Sequence, residues 1–154
     1  MLFLVIHLGA DRYALDVTEI EEVLPVVQMA QVPGAPPEVA GIFNYRGAPV
    51  PAIDLSQLTL GRPARNCFST RIVVVRLVDE RGVVRLLGVI AERATKTVRL
   101  AADSFKDAAV SCANALHQGS VIMDAEGMIQ RAHFERLLPP SVRSQFFAQS
   151  AVAS

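Results

Sequence analysis

Residues 41–55 read GIFNYRGAPVPAIDL, a segment that predicts two short strands joined by a tight turn. Gly47 suits the turn because glycine adopts positive φ angles without steric penalty. Pro49 and Pro51 lack a backbone N–H, so they place the returning strand at a sheet edge or beside a bulge. Asp54 follows this strand, and its carboxylate is expected to cap a brief helical turn.

The chain before this segment predicts a hairpin followed by a short helix. Apolar side chains alternate over residues 4–17, interrupted by the turn residues Gly9–Asp11, as a pair of strands requires. Thr18 and Glu21 have the spacing of a capping box, in which each side chain satisfies a backbone N–H of the first helical turn. The apolar residues that follow have helical spacing, so we predict a helix over Thr18–Leu24.

The chain after residue 70 predicts two more hairpins and a helical end. Both hairpin turns contain Asp and Gly, which favour tight turns. A less regular stretch separates the two hairpins. The predicted elements are strands at Arg71–Val78, Val83–Ile90, His117–Met123 and Met128–Arg131, a short helix at His133–Leu138, and a terminal helix that begins at Pro139.

The order of elements predicts a duplicated, mostly β architecture. Corresponding elements recur 70 to 78 residues apart, and many short strands with few helices are typical of small barrels. We expect one domain over residues 1–154, with a first barrel in residues 1–60 and a second in residues 70–138. Strands exchanged between the halves are compatible with this pattern. Residues 139–154 form the expected C-terminal tail or helix.

Composition excludes several classes of partner. Fifteen basic and fifteen acidic side chains cancel, and no basic run compensates, so neither nucleic acid nor an anionic membrane is an expected partner. Apolar runs are far shorter than the ~18 residues of a membrane span. The apolar start lacks the basic leader and cleavage site of a secretory signal, which predicts a cytoplasmic protein.

The sequence offers no recognisable catalytic, cofactor or metal site. His7, His117 and His133 have no second ligand at a suitable spacing, and the phosphate-binding and nucleophile motifs are absent. Cys67 and Cys112 lie far apart and fit a reducing compartment, where free cysteine behaves as a small hydrophobe. A chain that is 51% hydrophobic without such chemistry is expected to act through its surfaces, not as an enzyme.

Five fragments in the first third of the chain resemble the CheW-like family when their order and spacing are considered together. One resembles the family's N-L-R-G turn, and another its V-P-x-x-D-L return strand. The second half is similar but departs from the family at Ala91–Ala94 and Ala132–His133. The fragments are residues 8–17, 20–24, 32–37, 39–47 and 50–55.

This resemblance implies two SH3-like five-stranded barrels and no enzymatic activity. It implies an adaptor that couples the cytoplasmic tip of a chemoreceptor-like (methyl-accepting) protein to the regulatory domain of a CheA-type histidine kinase. The adaptor would be cytoplasmic, would be recruited to membrane receptor arrays without inserting into the membrane, and would need no cofactor.

The resemblance also implies a set of partner-binding residues. Ile20 and Gly41 match positions associated with receptor contact, and Glu22 and Arg46 match a carboxylate–guanidinium pair near the receptor-facing groove. The matching set is Ile20, Glu22, Gly41, Asn44, Arg46 and Gly47. An ordinary surface ion pair is the alternative for Glu22 and Arg46. In the helix expected above, Glu22 would lie on the polar side.

Two other functions are compatible with the residues. The same barrels are suited to an accessory binding module in another protein assembly. A small β-barrel hydrolase is the second alternative, although it lacks a clustered nucleophile and base. Fold alone does not decide between them.

Overall fold

The computed structural model of the protein describes residues 1–79, 81–107 and 117–134. It describes only the first two residues of the helix expected at His133–Leu138. The terminal helix from Pro139 and the residue Cys112 lie outside the described residues. No helix within the described ranges is both long and apolar enough to cross a membrane.

The described residues form a mostly β fold, as predicted. One α-helix, α1, spans Leu55–Leu60, and single 3₁₀ turns occupy Val17–Glu19 and Ala102–Ser104. The strands are β1 (Leu2–Leu8), β2 (Asp11–Asp16), β3 (Ile20–Pro25), β4 (Val39–Tyr45), β5 (Ala48–Asp54), β6 (Arg71–Val78), β7 (Val84–Arg99), β8 (Lys106–Asp107), β9 (His117–Asp124) and β10 (Gly127–Ala132).

The predicted hairpins β1–β2, β4–β5, β6–β7 and β9–β10 are confirmed by the strand register. Pro49 and Pro51 lie in the part of β5 that pairs with β4, while pairing with β7 begins only at Ala52. The two prolines therefore do not interrupt the hydrogen-bonded pairing of β5 with β7. Asp54 caps α1 as expected, because its Oδ1 accepts a hydrogen bond from the Gln57 N–H at 3.2 Å.

The strands fall into two sets that share β7. One set contains β3, β4, β5, β6 and the first half of β7, and the other contains β1, β2, β8, β9, β10 and the second half of β7. The change of partner occurs between Ala91, which pairs with Arg71 on β6, and Glu92, which pairs with His7 on β1. The two sets exchange strands between the sequence ranges 1–60 and 70–138, because β1 pairs with β7 and β2 pairs with β10.

The core lies on both sides of several strands. On β6, Val73, Val75 and Leu77 enter a central cluster to which both sets contribute, while Ile72 and Val74 enter a second cluster with Phe43. A strand buried on both faces needs an unbroken apolar run, and residues 72–75 provide one. Each fully buried Val, Ile or Phe side chain contributes about 1.5–3 kcal/mol.

The predicted helix at Thr18–Leu24 is wrong. The Asp16 carboxylate, not Thr18, caps a single 3₁₀ turn by accepting from the Thr18 N–H at 3.0 Å, and β3 then begins at Ile20. Residues 20–25 alternate between half-buried and exposed, which is the period of a strand. Pairing with β6 therefore overrides the weak helical spacing.

The irregular stretch expected after Ile90 is also wrong in its first part, because β7 continues without interruption to Arg99. Its second half is mostly exposed and pairs with β1 through register pairs such as Val5 with Lys96. The polar residues on this half hid the strand from the sequence pattern. Backbone hydrogen bonds to β1, instead of side-chain burial, continue β7 here.

Candidate partner-binding site

The β4–β5 turn holds three of the six candidate residues in a defined geometry. Arg46 has a φ of 51° and Gly47 a φ of 86°, as the two central residues of a type I′ hairpin turn require. The Asn44 side chain fixes the turn by accepting from the Gly47 N–H through Oδ1 at 2.8 Å. The positive φ of Arg46 is unusual, since a side chain with a Cβ is disfavoured there by about 1 kcal/mol.

Arg46 reaches from this turn to Glu22 on β3. Its Nη2 donates to Glu22 Oε2 at 3.2 Å, and its guanidinium carbon lies 5.2 Å from the centre of the Tyr45 ring. The Arg46 side chain is 71% exposed and that of Glu22 is 34% exposed. An exposed ion pair contributes only about 0–1 kcal/mol to the free energy of unfolding. The pair is therefore not needed to stabilise the fold.

The ion pair links the two edge strands of its strand set. The strand order is β3-β6-β7-β5-β4, which leaves β3 and β4 as the two edges. Glu22 belongs to β3 and Arg46 to the turn after β4, so their contact joins the two edges. A second link joins the same edges, because Ala30, beyond the end of β3, pairs with Ile42 on β4. The edges are thereby partly covered against other chains.

Tyr45 is a component of the site that sequence reasoning missed. Its ring is buried beneath Arg46, and its hydroxyl has no partner in hydrogen-bonding geometry within the described residues. Interaction with the nearby Glu22 carboxylate and burial together raise the pKa of Tyr45. The position next to the Arg-Gly turn was the only sequence signal for this residue.

Gly41 lies near the site for a backbone reason. It follows a bulge in β4 and has a φ of 148°, and an added Cβ would lie 2.5 Å from the Ala30 carbonyl oxygen. The close approach allows Ala30 and Ile42 to exchange backbone hydrogen bonds of 2.8 and 2.9 Å. Gly41 thus allows the edge of β4 to be covered.

Ile20 is turned away from Glu22. A bulge in β3 sets Ile20 opposite Val75 and Glu22 opposite Val74. Val74 and Val75 are adjacent on β6, so their side chains point to opposite faces of the sheet, and Ile20 and Glu22 do the same. Ile20 consequently packs against the central cluster, whereas Glu22 faces the β4–β5 turn. The structure therefore brings together Glu22, Asn44, Arg46 and Gly47, and it does not place Ile20 beside them.

A second ionic group, also missed from the sequence, joins the β9–β10 turn to β2. Arg12, with a side chain only 9% exposed, donates to both carboxylate oxygens of Asp124 at 2.6 and 3.0 Å and to Glu126 at 3.3 Å. The hydrogen bond from Arg12 lowers the pKa of Asp124 to about 2. Its bidentate geometry and burial favour a stabilising role over a binding one. A separation of 112 residues hid the pairing from spacing arguments.

No group of three His, Cys, Asp or Glu side chains converges as a metal site within residues 1–79, 81–107 and 117–134. The fold and the site define a small β module in which a surface turn carrying Arg46 contacts Glu22 on the opposite sheet edge. Residues 2–140 match the family model described as CheW-like domain, and the chain belongs to this family. The resemblance found in the sequence is thereby confirmed.

Several known proteins and solved structures are similar to this chain, among them two proteins named CheW and one crystal structure. The chemotaxis protein CheW of Klebsiella aerogenes is 24% identical over 106 residues, which cover 69% of this chain and 61% of that protein. The chemotaxis protein CheW of Helicobacter pylori is 32% identical over 94 residues, which cover 60% of this chain and 53% of that protein. The aligned region thus spans little more than half of each relative.

The crystal structure of the scaffolding protein TtCheW from Thermoanaerobacter tengcongensis shares the fold. Its TM-score is 0.75 at 21% identity, with 90% of this chain and 87% of that chain covered. The match supports the mostly β fold and is consistent with two SH3-like subdomains.

Proposed function

We propose that this protein is a non-enzymatic adaptor that couples a chemoreceptor-like protein to a CheA-type histidine kinase. Membership of the CheW-like family over residues 2–140 is the observation that carries the proposal. Two relatives named chemotaxis protein CheW and a similar structure named a scaffolding protein support it. The expected partners are the cytoplasmic tip of the receptor and the regulatory domain of the kinase, in a cytoplasmic protein recruited to receptor arrays.

The pair Glu22–Arg46 is the proposed centre of one partner surface. In water the pair is weak, but its energy rises when a partner excludes solvent from both charges. The exposed guanidinium keeps donors free for a carboxylate on a partner. Asn44 and Gly47 would hold the turn that presents Arg46, and Gly41 would hold the edge of β4 beneath it.

Apolar side chains beside Glu22 fit a helical partner. Val23, Val26 and Val27 are each about two-fifths exposed along and just beyond the edge strand β3. A receptor tip is a helical hairpin, and a docking helix needs an apolar surface with a polar contact that sets its register. Ile20, half-buried at the start of β3, would contribute through the shape of this edge.

Reconstitution tests the function directly. The full chain is mixed with a CheA-type kinase and a receptor cytoplasmic fragment encoded near it, and complex formation is followed by sedimentation and by kinase autophosphorylation. We expect a ternary complex in which the chain is required for receptor control of the kinase. Normal folding with binding to neither partner would contradict the adaptor function and favour a module of another assembly.

A further inference from the structure

A cavity of about 420 Å³ lies where β7 passes from one strand set to the other. Its walls come from the β1–β2 hairpin, the loop after α1 and the crossing point of β7. The lining residues that matter for its chemistry are His7, Arg62, Arg65, Cys67, Glu92 and Arg93. Its volume lies within the range of about 300–1,000 Å³ found for small-molecule sites.

The charge of the cavity is not balanced. The side chains of Arg62, Arg65 and Arg93 form no ion pair with any described residue, whereas Glu92 is the only carboxylate among the described residues that line it. One oxygen of Glu92 already accepts from the Arg65 backbone N–H at 2.9 Å. Three arginines therefore line the cavity beside one carboxylate that is already partly satisfied.

Arg93 is held at the cavity by an unusual backbone. Its φ of 52° lies in the left-handed region, next to a register shift between β1 and β7. Strained backbone of this kind persists where surrounding contacts impose it, and it concentrates at ligand sites. The adjacent hydrogen bond from the Ala94 N–H to the Ser69 carbonyl, at 3.1 Å, ties the strained residue to the loop across the cavity.

His7 responds to the positive charge of the cavity. Burial lowers its pKa first, and the nearby Arg93 and Arg12 guanidinium groups lower it further. The neutral imidazole can donate to an anion without adding to the unbalanced positive charge.

We propose that this cavity binds the phosphate group of a small phosphorylated metabolite. Guanidinium forks match phosphate oxygens bidentately, and three of them around one cavity, two on the loop after α1 and one on β7, favour a dianion over a monoanion. The cavity is larger than a free phosphate requires, which favours a phosphate ester with a compact organic part. The site is separate from the Glu22–Arg46 surface, so it does not depend on the proposed adaptor function.

Cys67 provides a reporter inside the same cavity. Its sulfur lies 3.4 Å from both the Ser69 and Thr70 hydroxyl oxygens, and these contacts lower the pKa of the thiol to about 7. The thiol is exposed, so alkylating reagents reach it. The thiolate displaces iodide from either iodoacetate or iodoacetamide, and the two products differ only in the charge of the group delivered.

The experiment compares the two alkylation rates at Cys67 in the full chain by peptide-resolved mass spectrometry. We expect iodoacetate to react at least fivefold faster, relative to iodoacetamide, than it does with a free model thiol. Glycerol 3-phosphate should suppress the iodoacetate reaction at a concentration about tenfold below that needed for inorganic phosphate, while glycerol has no effect. Ionic strength is held constant with chloride throughout.

Variants assign the effect to the cavity. Arg62→Gln with Arg65→Gln should abolish both the preference for iodoacetate and the protection, whereas the control Arg81→Gln, in the β6–β7 turn, should leave both unchanged. Circular dichroism checks that each variant folds. A ratio of iodoacetate to iodoacetamide rates equal to that of the free model thiol would overturn the site. Protection that survives the double substitution would overturn it as well. Equal protection by inorganic phosphate and glycerol 3-phosphate would overturn the assignment to a phosphate ester.

Discussion

Reversing the charge of Arg46 separates a binding role from a folding role. In the free protein, Arg46→Glu removes one ion pair of 3.2 Å between exposed groups and sets two carboxylates against each other. Such an exposed pair is worth about 0–1 kcal/mol, which corresponds to a fall in Tm of at most about 2–4 °C in a domain of this size. The turn itself should persist, because glutamate and arginine bear the same penalty at positive φ.

Partner binding should suffer much more from the same substitution. If a partner excludes water from the pair, loss of the cation leaves Glu22 buried without compensation, at a cost of about 2 kcal/mol or more. This cost weakens the Kd about 30-fold. Calorimetric titrations with the receptor tip and with the kinase regulatory domain would measure the change for each partner separately.

Two further variants of the chain serve as controls for this result. Arg81→Glu reverses an exposed charge in the β6–β7 turn, whose side chain contacts no described carboxylate, and should leave both affinities unchanged. The double substitution Glu22→Arg with Arg46→Glu restores the ion pair within the protein but exchanges the positions of its positive and negative charges. A partner would then contact a charge of the wrong sign at each position, so binding should remain weak. Unchanged affinity of Arg46→Glu for both partners, when the unmodified chain binds them, would refute the proposed surface while leaving the adaptor function standing.

Three other substitutions test the framework around the site. Gly88→Ala should lower the free energy of unfolding by about 2 kcal/mol or more in urea titrations, because a Cβ there would lie 2.5 Å from the buried Phe43 ring; full stability would show that the ring moves freely. Asp124→Asn should cost about 1 kcal/mol at pH 7, because it leaves the buried Arg12 with only the more exposed Glu126. In the unmodified chain this contribution is present above pH ~4 and is lost as pH falls toward 2, because Arg12 lowers the folded-state pKa of Asp124 to about 2; an unfolding free energy that stayed flat over this range would contradict the assignment. Tyr45→Phe should leave stability unchanged or slightly higher, since it removes a buried hydroxyl that lacks a hydrogen-bond partner, and a loss of more than about 1 kcal/mol would reveal a bond to Glu22.

Local signals were sufficient where one turn determines its neighbours. The hairpin β4–β5 follows from Gly47 and the flanking apolar residues, and the cap of α1 follows from Asp54, because both depend on contacts within a few residues. The same reasoning failed at β3, where residues 20–24 fit helical and strand spacing equally well. Pairing with β6, about fifty residues away, decides the outcome there.

The candidate site shows the same division between local and distant information. The turn geometry of Asn44 and Gly47 is local and could be predicted. The partner of Arg12 and the crossing of β7 from β6 to β1 depend on register across more than seventy residues, and no spacing rule reaches that far. The bulge that turns Ile20 away from Glu22 is equally invisible, because one extra residue in a ladder leaves no mark on the apolar pattern.

The shared central cluster has a consequence for any scaffold built on this fold. β1 sends Leu4 and Ile6 into the cluster from one strand set, and β6 sends Val73 and Val75 from the other, so the two sets bury the same apolar surface. Separating them would expose at least these four buried side chains, at about 1.5–3 kcal/mol each. Because β7 also crosses between the sets as one continuous strand, they are held as one body. The weak, exposed pair Glu22–Arg46 therefore sits on a framework whose geometry is maintained by the buried core and does not depend on the pair itself, as the proposed partner surface requires.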